Sequence, residues 1–264
     1  MTNKYLARDD APFDETVWDV LDSAMKKTTK NHLVGRHLLD VEGPYGLGLK
    51  SIPLEDKQVQ TGLVTSQVLP VLYLYKNFTL GTRDIANFER EGVALETYAL
   101  TEAVQACASM EDDLVFNGTK QLSGLMTVKG SDQLALSEWG EEGTAAESII
   151  EAITRLDDAG YHGPYVLALT PERYNLLYRL YPHGKQSELE HIQTMVTGGV
   201  FKSPNLDNGG LLMASTVQSA TLYLGQDMNL GYIGPAGDRQ EFVVSESLTV
   251  RIQRPDAICI LTDK

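Results

Sequence analysis

Leu33-Val34-Gly35-Arg36-His37-Leu38-Leu39-Asp40-Val41-Glu42-Gly43-Pro44-Tyr45-Gly46-Leu47-Gly48 is the stretch from which the rest of the chain is read. Arg36 to Val41 has the look of a strand with a charge near each end, Arg36 and Asp40. The Gly43-Pro44 pair then makes a corner, because glycine accepts backbone angles other residues avoid and proline fixes its own. Residues 14–32, which run into this stretch, carry an apolar stripe at helical spacing: Val17, Trp18, Leu21, Ala24 and Met25. Asp14 is the expected N-cap, Glu15 lies in the first turn, and Phe13 is placed to staple onto Trp18. Lys26, Lys27 and Lys30 fall in the last turns, where the helix dipole favours cations. On pattern alone this is an ordinary packed helix.

The chain has 264 residues, 42% of them hydrophobic and 22% charged, which suits a folded protein of one large or two smaller domains. Its net charge of −14 argues against a dedicated nucleic-acid binder, since phosphate affinity comes from clustered Lys and Arg. The same acidity argues against docking on anionic lipid. No apolar run approaches the ~20 residues needed to span a bilayer. The N-terminus, Met1 to Phe13, places Asp9 and Asp10 where a signal peptide needs an apolar core. Cys107 and Cys259, the only 2 cysteines, have no CxxC partner, so neither a disulfide framework nor a zinc site is expected. A reducing, cytoplasmic setting fits.

Beyond Gly48 the text changes. Gln58, Gln60, Thr61, Thr65, Ser66 and Gln67 are interleaved with Val59, Leu63, Val64 and Val68, which predicts a two-stranded ribbon turning near Gly62. A ribbon polar on both sides is marginal alone and needs a neighbour to lie on. Pro70 opens a β-branched and aromatic run to Thr79. Thr82 is the expected cap of a short helix, Arg83 to Glu91. A longer helix follows from Leu95 to Phe116, with Leu100, Ala103, Val104, Cys107, Met110 and Leu114 as its buried stripe. Residues 119–143 suggest strands and loops. A helix is predicted from Thr144 to Ala159, an apolar strand from Tyr165 to Leu169, and a helix started by Thr170-Pro171. Tyr181-Pro182-His183-Gly184-Lys185 is a punctuated loop before a helix from Ser187 to Val196. Short strands are predicted at 199–202, 211–215 and 220–224. The closing strand, Ala257 to Leu261, is apolar on both faces.

Sites of known chemistry are few. Gly43-x4-Gly48-Leu49-Lys50-Ser51 misses the phosphate-loop spacing by one residue, and Ile52-Pro53 forbids the helix that should follow. Glu111-Asp112-Asp113 is the densest carboxylate cluster, but adjacent helix positions diverge, so a solvated helix face is the expectation. His32, His37, His162, His183 and His191 show no ligand spacing. No cofactor, metal or catalytic residue is assigned. A metal-dependent hydrolase using Glu111, Asp112 or Asp113 with a histidine is the alternative of another class.

Residues 33–48 resemble the encapsulins, shell proteins of bacterial and archaeal nanocompartments. So do four later stretches: Glu111 to Gly118, Tyr161 to Leu167, Leu224-Gly225-Gln226-Asp227-Met228-Asn229-Leu230-Gly231-Tyr232, and Arg254 to Ile258. They occur in the family's order over nearly the whole chain. The resemblance implies an α+β Hong Kong 97-like phage major capsid fold. It also implies an N-terminal cargo-side helix at 1–32, a peripheral domain at 33–48, 81–143 and 226–264, an extended loop at 49–80, and an axial domain at 144–225. The expected role is non-enzymatic: a closed icosahedral homo-oligomer, of about 60 copies in its smallest form. It would enclose a ferritin-like protein or a dye-decolourising peroxidase bearing a C-terminal docking peptide, for iron storage or oxidative-stress defence. Carried over by motif, Arg36 and Asp40 match a charged pair beside the docking groove, Leu33 and Leu39 its apolar contacts, and Leu230 and Tyr232 its opposite wall. Tyr181, His183 and Lys185 match the loop around a five-fold pore. A phage or prophage capsid is the runner-up, although the short helix-forming N-terminus is of the shell type.

Overall fold

The computed structural model describes residues 4–182 and 185–263. Two 3-10 turns, Lys4–Leu6 and Arg8–Asp10, precede α1 (Glu15–His32); a third, Gly35–His37, leads into β1 (Asp40–Glu42). The strands β2 (Ser51–Pro53), β3 (Lys57–Gln60), β4 (Leu63–Thr65) and β5 (Val68–Pro70) are short. The longer β6 (Leu72–Gly81) runs into α2 (Thr82–Glu91) and then α3 (Tyr98–Phe116). Next come β7 (Asp132–Ala135), α4 (Thr144–Asp158), β8 (Tyr165–Leu169), α5 (Pro171–Leu176), α6 (Glu188–Met195), β9 (Val200–Lys202) and β10 (Gly210–Ala214). The chain closes with β11 (Ala220–Ala236), β12 (Arg239–Ile252), a 3-10 turn at Pro255–Ala257, and β13 (Ile258–Thr262). The mixture is α+β, and it divides into two compact units.

The first unit comprises the chain up to Leu33, Gly43–Glu111 and Tyr223–Thr249. Within it β11, β12 and β6 lie side by side, with β6 antiparallel to β12 from Leu72↔Leu248 to Gly81↔Arg239. Val17, Trp18, Leu21 and Met25 of α1 bury their stripe in a core shared with Phe78, Leu80, Phe242, Val244 and the Leu100, Val104 and Cys107 positions of α3. The predicted staple forms, with the Phe13 and Trp18 rings 5.5 Å apart. Asp14 does occupy the N-cap position, but its side chain makes no cap bond; its backbone N–H donates to Glu89 Oε1 at 2.7 Å instead. Thr82 is the first residue of α2, and Gly81 is its N-cap. At the Gly43 corner, φ is +120° and an added Cβ would come within 2.4 Å of the Leu224 carbonyl oxygen, so only glycine fits.

The second unit comprises Val34–Glu42, Asp112–Leu222 and the chain from Val250 onward. Its sheet has the order β7-β13-β10-β8-β9. β10 is antiparallel to both β13 and β8, while β7 and β9 are parallel to their neighbours. Ala145, Ile149, Ala152 and Leu156 of α4 and Leu189 and Ile192 of α6 share its core with Leu167, Leu169, Leu212, Cys259 and Leu261. Every residue of β8 and β10 is buried, as is Ala257 to Leu261, in keeping with strands apolar on both faces. α6 starts with a full capping box between Ser187 and Glu190, and Thr170 caps α5 by accepting the Arg173 N–H.

Candidate docking surfaces and pore loop

The segment between α1 and the Gly43 corner differs from the sequence-based expectation. Residues 35–37 form a 3-10 turn and only Asp40–Glu42 is strand. The cause is Asp112. The Val34 N–H donates to both of its carboxylate oxygens, at 3.1 and 3.0 Å, and the Gly35 N–H donates to Oδ1 at 2.7 Å. An acceptor aimed at successive amides closes a turn at its N-terminal end. Gly35 packs flat on α3: a Cβ there would lie 2.9–3.0 Å from the Val115 side chain. His37 stacks on Phe201, ring centroids 4.9 Å apart and planes 6° apart. The Ser215 hydroxyl donates to the Leu38 carbonyl at 3.5 Å.

Of the charged pair, Asp40 is exposed and Arg36 half-buried. Leu39 is buried in the second unit. The other three residues belong to the first unit, and all are buried. Leu33 and Leu230 lie in its core. Tyr232 packs edge-on to Phe13 and Phe242, and its hydroxyl donates to Gln240 Oε1 at 2.6 Å. Burial pushes that hydroxyl's pKa up.

An accessible apolar surface of the first unit lies elsewhere. A cleft of about 420 Å³ runs between one side of α1, at Asp19, Val20, Ser23, Ala24 and Lys27, and the Leu95 and Thr97 segment. Sequence reasoning missed Val20 and Leu95 as lining residues. The available signal is that Val20 and Ala24 are spaced i, i+4 beside the buried stripe, widening the apolar face of α1.

The carboxylate cluster is not a solvated face. Glu111 and Asp112 are 0% and 1% exposed, whereas Met110, expected in the core, is 37% exposed. Glu111 follows Cys107 by four residues and so shares its buried side of α3. The Asp112 oxygens face backbone amides, and among the described residues no group of three His, Cys, Asp or Glu is placed to hold a metal ion.

The ribbon forms as expected, with β3 and β4 paired through a turn at Gly62, where φ is +80°. All residues of both strands are exposed. Val59 and Val64 show 60% and 57% of their surface, and Leu63, Val68, Tyr73 and Tyr75 are also exposed.

The punctuated loop is clamped at its base. The Tyr181 N–H donates to the Gln186 carbonyl at 3.2 Å, and the Tyr181 hydroxyl meets His191 Nδ1 at 2.8 Å. Burial, then the Glu188 charge, raises the Tyr181 pKa. Arg179 donates to the Trp139 and Gly140 carbonyls and lies 3.5 Å from the fully buried Glu188. Lys185 is exposed, and His183 lies outside the described residues. Cys107 and Cys259 are free and buried, and burial pushes both thiols up to about 12. No helix among the described residues is long and apolar enough to cross a membrane.

A family described as encapsulating protein for peroxidase matches residues 2–249. The type 1 encapsulin shell protein EncA of Myxococcus xanthus is 32% identical over 97% of this chain and 96% of its own length. Among solved structures, a virus-like particle from Pyrococcus furiosus superposes with a TM-score of 0.75 at 24% identity, over 93% of this chain and 99% of that one. The capsid of Myoviridae phage XM1 superposes with a TM-score of 0.63 at 13% identity, over 87% and 90% of the two chains, so the fold is that of phage capsid proteins. The chain belongs to the encapsulin family of shell proteins, whose profile spans nearly all of it.

Proposed function

We propose that copies of this chain close into an icosahedral shell of about 60 subunits. The shell encloses a cargo enzyme, a dye-decolourising peroxidase or a ferritin-like protein, in the cytoplasm, for oxidative-stress defence or iron storage. The observation that carries this reading is the ribbon: β3 and β4 have no buried residue and display Val59, Leu63 and Val64 to solvent. A two-stranded ribbon is marginal in water and a bare apolar arm is costly, so a second copy is its natural cover. In this reading residues 49–80 are an arm lying on a neighbour. Residues 144–225 are an axial domain whose 181–186 loop rings a pore, with Tyr181, His183 and Lys185 beside it. Residues 33–48, 81–143 and 226–264 form a peripheral domain, and the N-terminal helix at 1–32 faces the lumen. The chain itself is not catalytic.

Cargo is held by its C-terminal tail. Arg36 and Asp40 are the accessible charges that set the tail's register. The matched apolar residues Leu33, Leu39, Leu230 and Tyr232 are buried within the subunit. The peroxidase in the family description supports a peroxidase cargo. A phage or prophage capsid shares the fold, but the family match favours a shell for enzymes.

The test is co-expression with fluorescent proteins ending in tails from dye-decolourising peroxidases or ferritin-like proteins. Shells that co-purify with one tailed protein and not with its tailless parent support the reading. Shells that take up none of them contradict the cargo half of it.

A further inference from the structure

We propose that Asp112 is a positioning residue, a buried carboxylate that sets the 34–42 segment so that Arg36 and Asp40 are presented in a fixed register to a cargo tail. This rests on the cargo reading above. Segment and carboxylate lie in the same compact unit, about 77 residues apart in sequence.

The segment is nine residues long and has little regular structure of its own. A free loop of that length would lose conformational entropy on meeting a ligand, and that loss would weaken binding. Here it is fixed beforehand at four points. Asp112 holds the Val34 and Gly35 amides, Gly35 lies on Val115, His37 stacks on Phe201, and Ser215 holds the Leu38 carbonyl. Three of these are modest contacts. The carboxylate is the strong one: it is almost fully buried and accepts from two successive backbone amides. It acts at Val34 and Gly35, immediately before Arg36, so its loss changes the direction in which that side chain leaves the turn. An asparagine would keep one acceptor oxygen and bring N–H groups towards amides that are themselves donors.

The test uses assembled shells and a fluorescent protein ending in an apolar, glycine-containing tail from a dye-decolourising peroxidase or a ferritin-like protein. Asp112→Asn shells are expected to have the wild-type size and to bind the tail about tenfold more weakly. Asp113→Asn, which alters the exposed neighbour bonded to Asn117, leaves the affinity unchanged. Gly35→Ala, which drives the turn away from Val115, weakens binding similarly. Wild-type affinity in intact Asp112→Asn shells would overturn the proposal. If that variant does not assemble, undiminished binding by intact Gly35→Ala shells would do so. Wild-type shells that bind no tail at all would instead sink the cargo reading, and this inference with it.

Discussion

The ribbon β3–β4 and the strand β8 are both short, extended and rich in aliphatic residues, yet they stand at opposite limits. Every residue of Tyr165–Leu169 is buried between helices and flanking strands, while every residue of Lys57–Gln60 and Leu63–Thr65 is exposed. The first is stable because its own chain covers it. The second has no cover among the described residues. On the proposed reading one strand serves folding and the other assembly, and mutations separate the two roles.

The largest expected effect is on the ribbon. Replacing Val59, Leu63 and Val64 together with lysine abolishes shell formation and leaves a folded subunit, judged by sizing and by an unchanged far-ultraviolet spectrum. Loss of the fold in that variant would erase the contrast. Leu167→Ala in β8 does the reverse. It removes a fully buried side chain and costs about 2–5 kcal/mol of subunit stability, measured by denaturant unfolding of subunits kept apart by the ribbon substitutions. The smallest effect is chemical. Cys107 and Cys259 are buried with pKa values of about 12, so at pH 8 neither is a thiolate and neither reacts with a thiol reagent until the chain is denatured. Rapid labelling of either one in the native state would show that the unit containing it opens.

Much of this contrast is legible in the sequence. Gln58, Gln60 and Thr65 beside Val59 and Val64 spell a ribbon with no buried side, and the unbroken apolar run from Tyr165 to Leu169 spells a strand with two. The helix α1 follows from its apolar stripe, and α4 and α6 lie within a residue of the predicted ranges. Glu111 and Asp112 were not legible, because carboxylates default to solvent and the amides that hold Asp112 come from Val34 and Gly35, far away in sequence. The same distance hid the turn at Gly35–His37, which local pattern suggests is strand. Leu33, Leu39, Leu230 and Tyr232 are recognisable as apolar, and all four are buried within the subunit.

If the ribbon is covered by other copies of the chain, negative-stain microscopy of the protein expressed alone, with its mass in solution, shows uniform hollow particles built from many subunits. A compact monomer that persists at high concentration, with no cages on the grid, would contradict it.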